Sequence, residues 1–313
     1  MITPVLNAIA PLIVLMALGG LIKRTLVRED AVWSGLESIT YYVLMPALLF
    51  SKIAKAELSG LPWGQLLVVL YTPILIMAAI ALLPLLGRSR LTPATRSSLF
   101  QGITRFNLYI CLALGVSFFD SQTMAVLALL AAAIVVLVNF LCVGVLVTLN
   151  SGRFNLKTTA LELTKNPLIL ACVAGVMASL MDLSLPQFME ISLDRLGQTA
   201  LPLSLLAIGA GLSLQRFGAN MPLNIYAGAL QLLLKPALAA ALVWMTGMDL
   251  TYGLVIVLLL ASPTAASGYI LARRLGGDAG AMASIIVFQT VVGLATLVLV
   301  LALWQIVTGI ALA

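Results

Sequence analysis

The chain has 313 residues, 62% of them hydrophobic and only 9% charged, with a mean hydropathy of +1.15 and a formal net charge of +6. Soluble domains carry roughly 25% charged residues, so this chain has too little polar surface to cover a water-soluble globule and belongs in a membrane. A span needs about 20 apolar residues, a length the apolar segments reach without the alternating ten-residue pattern of a barrel, so the fold class is an all-α membrane protein.

Ten spans are predicted in chain order, at about 4–22, 33–51, 63–86, 97–119, 122–149, 166–181, 192–214, 223–246, 250–273 and 279–310. The first has no basic leader and is followed by span after span, so it reads as a transmembrane helix and not as a cleaved signal. Span two carries Glu37 near its start and Pro46 further along; span seven repeats this with Asp194 and Pro202. A carboxylate near a span end is ordinary at the interface, and both acids are read as structural. Span four runs Ser98-Leu99-Phe100-Gln101-Gly102-Ile103-Thr104-Arg105-Phe106-Asn107-Leu108-Tyr109, with Gln, Gly, Thr, Arg and Asn where lipid-facing residues would be apolar. Span five holds Asn139 and span ten Gln289, single polar residues that read as interhelical hydrogen bonders. Span eight holds Lys235-Pro236, and span nine runs Ala261-Ser262-Pro263-Thr264-Ala265-Ala266-Ser267-Gly268-Tyr269.

The chain repeats itself. Pro11-Leu12-Ile13-Val14 recurs as Pro167-Leu168-Ile169-Leu170, Pro46 as Pro202, and Asp120 with Met124 and Ala125 as Asp278 with Met282 and Ala283. Five spans fall in each half, and an odd number forces the second half to enter the membrane upside down, the plan of secondary transporters. The expected organisation is a first five-helix repeat at 1–150, a cytoplasmic linker at 151–165 (Ser151, Gly152, Arg153 and Asn155 read as solvated) and a second repeat at 166–313.

Charge orients the bundle. Lys23, Arg24, Arg28, Arg88, Arg90, Arg96, Arg153, Lys157, Lys165, Arg216, Arg273 and Arg274 fall at one side, against Lys52, Lys55 and Arg195 at the other. By the positive-inside rule the first side is cytoplasmic and both termini face away from it. The basic residues therefore mark topology, and no nucleic-acid partner is expected. Cys111, Cys142 and Cys172 have no metal-ligand spacing and are odd in number, so they read as packing residues; no metal and no cofactor is expected. Histidine is absent, and no HExxH, paired intramembrane aspartates or Ser/His arrangement supports an intramembrane enzyme.

Arg105 and Lys235 are the two cations inside spans. A charge at bilayer depth costs about 2.5–3.5 kcal/mol on insertion scales, so Arg105 is expected to face protein. Pro263 aligns with the Phe106/Asn107 region of the other half, and both places weaken the helix: proline removes a helical hydrogen bond, while nearby Ser, Thr and Gly permit unwinding. A packing kink would explain either alone. Paired interruptions in corresponding spans point to a transporter binding site, with half-helix N-termini and the Arg105 fork suited to a carboxylate. Lys235 has two readings, direct ligand contact or a tie to a neighbouring helix's carbonyls.

These residues resemble the auxin efflux carrier family of transporters, in its bacterial branch of malate and malonate permeases. The strongest matches are Asn166-Pro167-Leu168-Ile169, Leu201-Pro202-Leu203-Ser204-Leu205-Leu206-Ala207-Ile208-Gly209, and Ser262-Pro263-Thr264-Ala265-Ala266 leading to Leu271-Ala272 and Gly276-Gly277-Asp278. The resemblance implies two inverted five-helix repeats, a scaffold and a transport domain, and broken fourth and ninth spans crossing near the substrate, as in bile-acid sodium symporters. Plant members carry an Asn-Pro-Asn-Thr type of motif at the fourth-span break; here Arg105-Phe106-Asn107-Leu108 keeps only Asn107, which puts auxin in doubt as substrate.

The expected function is a secondary carrier of a small organic anion, a mono- or dicarboxylate such as malonate or malate, by alternating access in a bacterial inner membrane. Its expected substrate-binding residues are Gln101, Thr104, Arg105, Asn107, Lys235, Ser262, Pro263 and Thr264. The alternatives are a sodium- or proton-coupled symporter and a non-transporting membrane sensor. The expected partners are the anion and the lipid bilayer, with a coupling ion and a homodimer left open.

Overall fold

The computed structural model describes residues 2–86, 91–150, 164–183 and 185–309, and these form helices, turns and connections without a strand. Arg88, Arg90 and nearly all of the linker expected at 151–165, including Arg153 and Lys157, lie outside the described residues. Among the described residues, six segments are long and apolar enough to cross a membrane: Thr3–Thr25, Trp63–Leu83, Pro93–Phe118, Ser121–Asn150, Met221–Thr246 and Ala279–Thr308. Two apolar helices, Pro167–Leu180 and Leu250–Ala261, are shorter.

The helices in order are α1 (Ile2–Thr25), α2 (Asp30–Ile39), α3 (Met45–Ala54), α4 (Trp63–Leu86), α5 (Pro93–Thr104), α6 (Leu108–Phe118) and α7 (Ser121–Asn150), then α8 (Pro167–Leu180), α9 (Gln187–Gly211), α10 (Met221–Gly228), α11 (Lys235–Thr246), α12 (Leu250–Ala261), α13 (Ser267–Arg274) and α14 (Ala279–Thr308). Each predicted span has a helical counterpart. Charge keeps α2–α3 and α9 off the list of apolar spans, since the first pair carries Asp30, Glu37 and Lys52 and the second Glu190, Asp194 and Arg195.

Proline shapes three of these helices. Between α2 and α3 the chain widens into a π turn, Thr40–Leu44, closed by Met45 N–H on the Thr40 carbonyl; between α10 and α11 it does so again at Ala229–Leu234, closed by Lys235 N–H on the Leu230 carbonyl. A single residue separates each widened turn from a proline, Pro46 or Pro236, whose missing N–H and bulky ring cannot fit a regular α turn. The helix continues through both. At α8 the proline instead starts the helix: Asn166 caps it, its Oδ1 accepting from Leu168 N at 2.9 Å and Ile169 N at 3.4 Å, with Pro167 at the first position. Asp120 and Asp278, repeat mates in the sequence, do the same work before α7 and α14: Asp120 Oδ1 accepts from Thr123 N at 2.8 Å, and Asp278 Oδ1 from Ala281 N at 2.9 Å. The Thr123 amide holds the Asp120 carboxyl below the usual carboxylate range.

Two packing groups follow from the helix contacts. In one, α1 packs on α9, while α3 packs on α8 and α9. In the other, α5 lies between α4, α7 and α14, with α11 on α4 and α12, and α13 on α14. Glycine sets the tightest approach in the first group: a Cβ on Gly19 would stand 2.0 Å from the Leu206 carbonyl oxygen, and one on Gly209 1.8 Å from that of Met16. Small residues let backbones meet where lipid offers helices no hydrophobic drive to associate.

Candidate functional site

The apolar spans four and nine are both interrupted where Gly, Asn, Pro and Ser weaken them. Residues 105–107 separate α5 from α6, and residues 262–266 separate α12 from α13. The two breaks cross. Asn107 N–H donates to Ser262 Oγ at 2.8 Å, and Ser262 Oγ donates to the Asn107 carbonyl at 3.1 Å. Gln289 on α14 ties both breaks, accepting from Thr264 N at 3.0 Å and donating to the Gly102 carbonyl at 2.8 Å. Gln289 thus bonds between helices, as its isolation in an apolar span suggested.

Away from water, each carbonyl at a broken helix end needs a donor. The four last carbonyls of α5 share three. Gln101 O accepts from Arg105 N at 2.9 Å and Gly102 O from Gln289, while the carbonyls of Ile103 and Thr104 each face Lys235 Nζ at 3.5 Å. Lys235 is 0% exposed and also hydrogen-bonds Gln231 Oε1, one turn back; Gln231 Nε2 then donates to the Ser262 carbonyl at 2.7 Å. Of the two readings of Lys235 in the sequence, the geometry matches the tie to a neighbouring helix's carbonyls.

A cavity of about 580 Å³ opens beside the crossing, between the two packing groups. Its wall takes Glu37, Ser38, Tyr41 and Tyr42 from the α2 side, Ser204 and Ile208 from α9, Asn139 from α7, Arg105 and Asn107 from the first break, Tyr109 from α6, and Ser267 and Arg274 from the two ends of α13. It extends from the break toward the end of the bundle where α2 and α8 begin and α13 finishes, marked by Ser34, Asn166 and Arg274.

Arg105 is the central charge on this wall. It is 7% exposed and is held from three directions: Nε donates to Gln101 Oε1 at 3.0 Å, Nη1 to Ser267 Oγ at 3.3 Å and Nη2 to Asn139 Oδ1 at 3.0 Å. Each acceptor is neutral, and Arg105 is in no ion pair among the described residues. The guanidinium is therefore oriented and largely desolvated while its charge is uncompensated, the condition in which an anion gains most from binding. Asn107 caps α6, its Oδ1 accepting from Tyr109 N at 3.1 Å and Ile110 N at 3.3 Å. The free half-helix N-terminus expected here is thus partly occupied by its own residue; Nδ2 is the part of the side chain left to donate into the cavity.

Of the eight residues read from the sequence as substrate-binding, Arg105 and Asn107 line the cavity. Gln101, Thr104, Ser262, Pro263, Thr264 and Lys235 stand behind the wall, all fully buried, building the crossing. Thr104 Oγ1 donates to its own helix at the Phe100 carbonyl, 2.8 Å away, and Thr264 Oγ1 lies 3.5 Å from the Gln101 carbonyl. Glu37 stands at an exposed position and also lines the cavity with Arg105, whereas Asp194 lies beside Lys55 at 3.7 Å on another part of the molecule. Ser267, Tyr41 and Tyr109 were missed. The i, i+4 spacing of Glu37 and Tyr41, which puts both on one side where α2 runs into the π turn, was the available signal.

An all-helical membrane protein whose broken helices cross beside a half-enclosed cavity has the form of a carrier. Residues 148–301 match the family model described as Membrane transport protein, the membrane transport domain of the auxin efflux carrier family. The chain is a membrane transporter and not an enzyme. No curated protein matches it.

Proposed function

We propose that the protein is a secondary carrier of a small organic anion, a mono- or dicarboxylate such as malonate or malate, working by alternating access. The observation that carries this reading is Arg105: a buried guanidinium with neutral partners only, on the wall of a cavity at crossed helix breaks. The carboxylate sits against Arg105, with Asn107 Nδ2 and the Ser267 hydroxyl beside it and Tyr41 and Tyr109 closing round it. Gln101, Thr104, Ser262, Pro263, Thr264 and Lys235 hold the crossing in shape behind that contact.

In this reading the chain crosses the membrane ten times as two inverted five-helix repeats. The recurrence of Asp120 and Asp278 as caps of matching helices supports it. The basic end of the bundle faces the cytoplasm of a bacterial inner membrane, both termini lie outside, and the cavity opens inward. The group of α1, α3, α8 and α9 is the static scaffold against which the broken helices move. An anion leaving an inside-negative cell gains about 2.3 kcal/mol per charge per 100 mV, so efflux or exchange needs no coupling ion.

Glu37 favours a second reading, proton-coupled symport, because it is a carboxylate in the same cavity as the anion-binding arginine. Flux of labelled malonate, malate and a panel of monocarboxylates in proteoliposomes, with potential, proton and sodium gradients imposed separately, tests both. Potential-driven flux of one acid, lost in Arg105→Ala and kept with raised KM in Arg105→Lys, is the expected result. Proton-driven flux that Glu37→Gln uncouples selects the second reading. Binding without flux means a sensor, and unchanged affinity in Arg105→Ala removes Arg105 from the site.

A further inference from the structure

Lys235 is the one described cation that is 0% exposed, and it takes no part in the cavity wall. What surrounds its ammonium is oxygen without charge: the Ile103 and Thr104 carbonyls, each at 3.5 Å, and the Gln231 amide oxygen. Two of these belong to the last residues of α5. Gln231, four residues before Lys235 across the π turn, reaches the carbonyl of Ser262 directly after α12. The pair therefore joins the C-terminal ends of both broken helices at their crossing.

Each helix end concentrates negative partial charge, roughly half an elementary charge, on carbonyls that no helical N–H can reach. Two such ends brought together inside a protein in lipid require positive charge. Carriers with broken helices commonly seat a dissociable sodium ion there, on unwound carbonyls and half-helix C-termini. Here the seat is filled by an ammonium on a four-carbon stem.

We propose that Lys235 Nζ is a tethered substitute for a coupling cation: it occupies the carbonyl and amide seat at the helix crossing, so the protein takes up no sodium or potassium ion there. Because the amine is covalently attached, it stays in the seat, and no alkali ion can be carried with the substrate through it. The consequence for coupling rests on the carrier reading above, whereas the seat itself is independent of it. A small residue at position 235 turns the seat into a true ion site; a bulky apolar one blocks it.

The test compares thermal unfolding of the purified full chain in NaCl, KCl and choline chloride at equal ionic strength, for the wild type, Lys235→Ala and Lys235→Met. The wild type is expected to unfold at one temperature in all three salts. Lys235→Ala should be destabilised in choline and recover, saturably, by roughly 5 °C or more in NaCl or KCl, because an ion that binds only the folded state stabilises it. Lys235→Met should stay destabilised in every salt. A wild-type melting temperature that rises with sodium or potassium overturns the proposal, as does an alanine variant equally unstable, or unfolded, in all three. Flux then separates this inference from the carrier reading: alkali-gradient dependence appearing only in Lys235→Ala supports the tether, while a wild type that moves no anion defeats the carrier reading and leaves the salt-specific melting to judge the seat.

Discussion

Asn107 does two things at one position, and a single substitution separates them. Its Oδ1 accepts from Tyr109 N and Ile110 N and so begins α6, while the residue lines the cavity and, in the proposed site, offers Nδ2 to the anion. Asn107→Ala removes the cap and should lower stability by about 1 kcal/mol, read as a drop of a few degrees in melting temperature. Asn107→Asp keeps a capping oxygen but puts negative charge where the donor stood, so melting should hold while anion flux falls at least tenfold; undiminished flux would show that Nδ2 is not a ligand. Arg105 and Lys235 look alike in the sequence, two cations in greasy spans. Their surroundings differ because Arg105 lies at the break, where the chain leaves the helix and opens on the cavity, while Lys235 lies within a helix whose neighbours enclose it. Burial was legible from the cost of charge in lipid; the side of the wall was not, because it depends on how α5 and α12 cross.

The helix breaks were the most legible elements. Gly102, Asn107 and Pro263 mark places where a helix loses propensity or hydrogen bonds, and the interruptions fall at 105–107 and 262–266. The π turns before Pro46 and Pro236 were not legible, since a proline inside an apolar run predicts a disturbance without telling a widened turn from a kink. The contact of α1 with α9 was equally hidden. Gly209 sits 1.8 Å, in Cβ terms, from a backbone oxygen that cannot swing aside, so Gly209→Ala must part the two helices. Overpacking of this kind costs about 1–3 kcal/mol. Gly211, with open space around it, is the control at the end of the same helix. Melting temperature should fall clearly for Gly209→Ala and stay put for Gly211→Ala; equal values would mean the crossing is looser than drawn.

At the scale of the molecule, the cavity lies between the two packing groups, the place where the proposed alternating access would expose Arg105. The native cysteines are all buried, Cys111 and Cys142 at 0% and Cys172 at 3% exposure, so a cysteine placed in the cavity can be read against a quiet background. Under the proposed orientation, Ser38→Cys should react with a membrane-impermeant maleimide from the cytoplasmic face, and more slowly with the transported anion present. Reaction only from the opposite face would invert the topology. The sequence by itself determined that this is a helical protein of the membrane, where its apolar segments lie and where two of them fail, because hydrophobic length and backbone propensity are local properties. Only the tertiary structure decided which polar residues face the cavity and which close the crossing behind it. Gln101, Thr104 and Ser262 are as polar as Asn107 and Ser267. What sorts them is whether a broken helix end or open space stands opposite, and for Thr104 and Ser262 that is set by residues more than a hundred positions away along the chain.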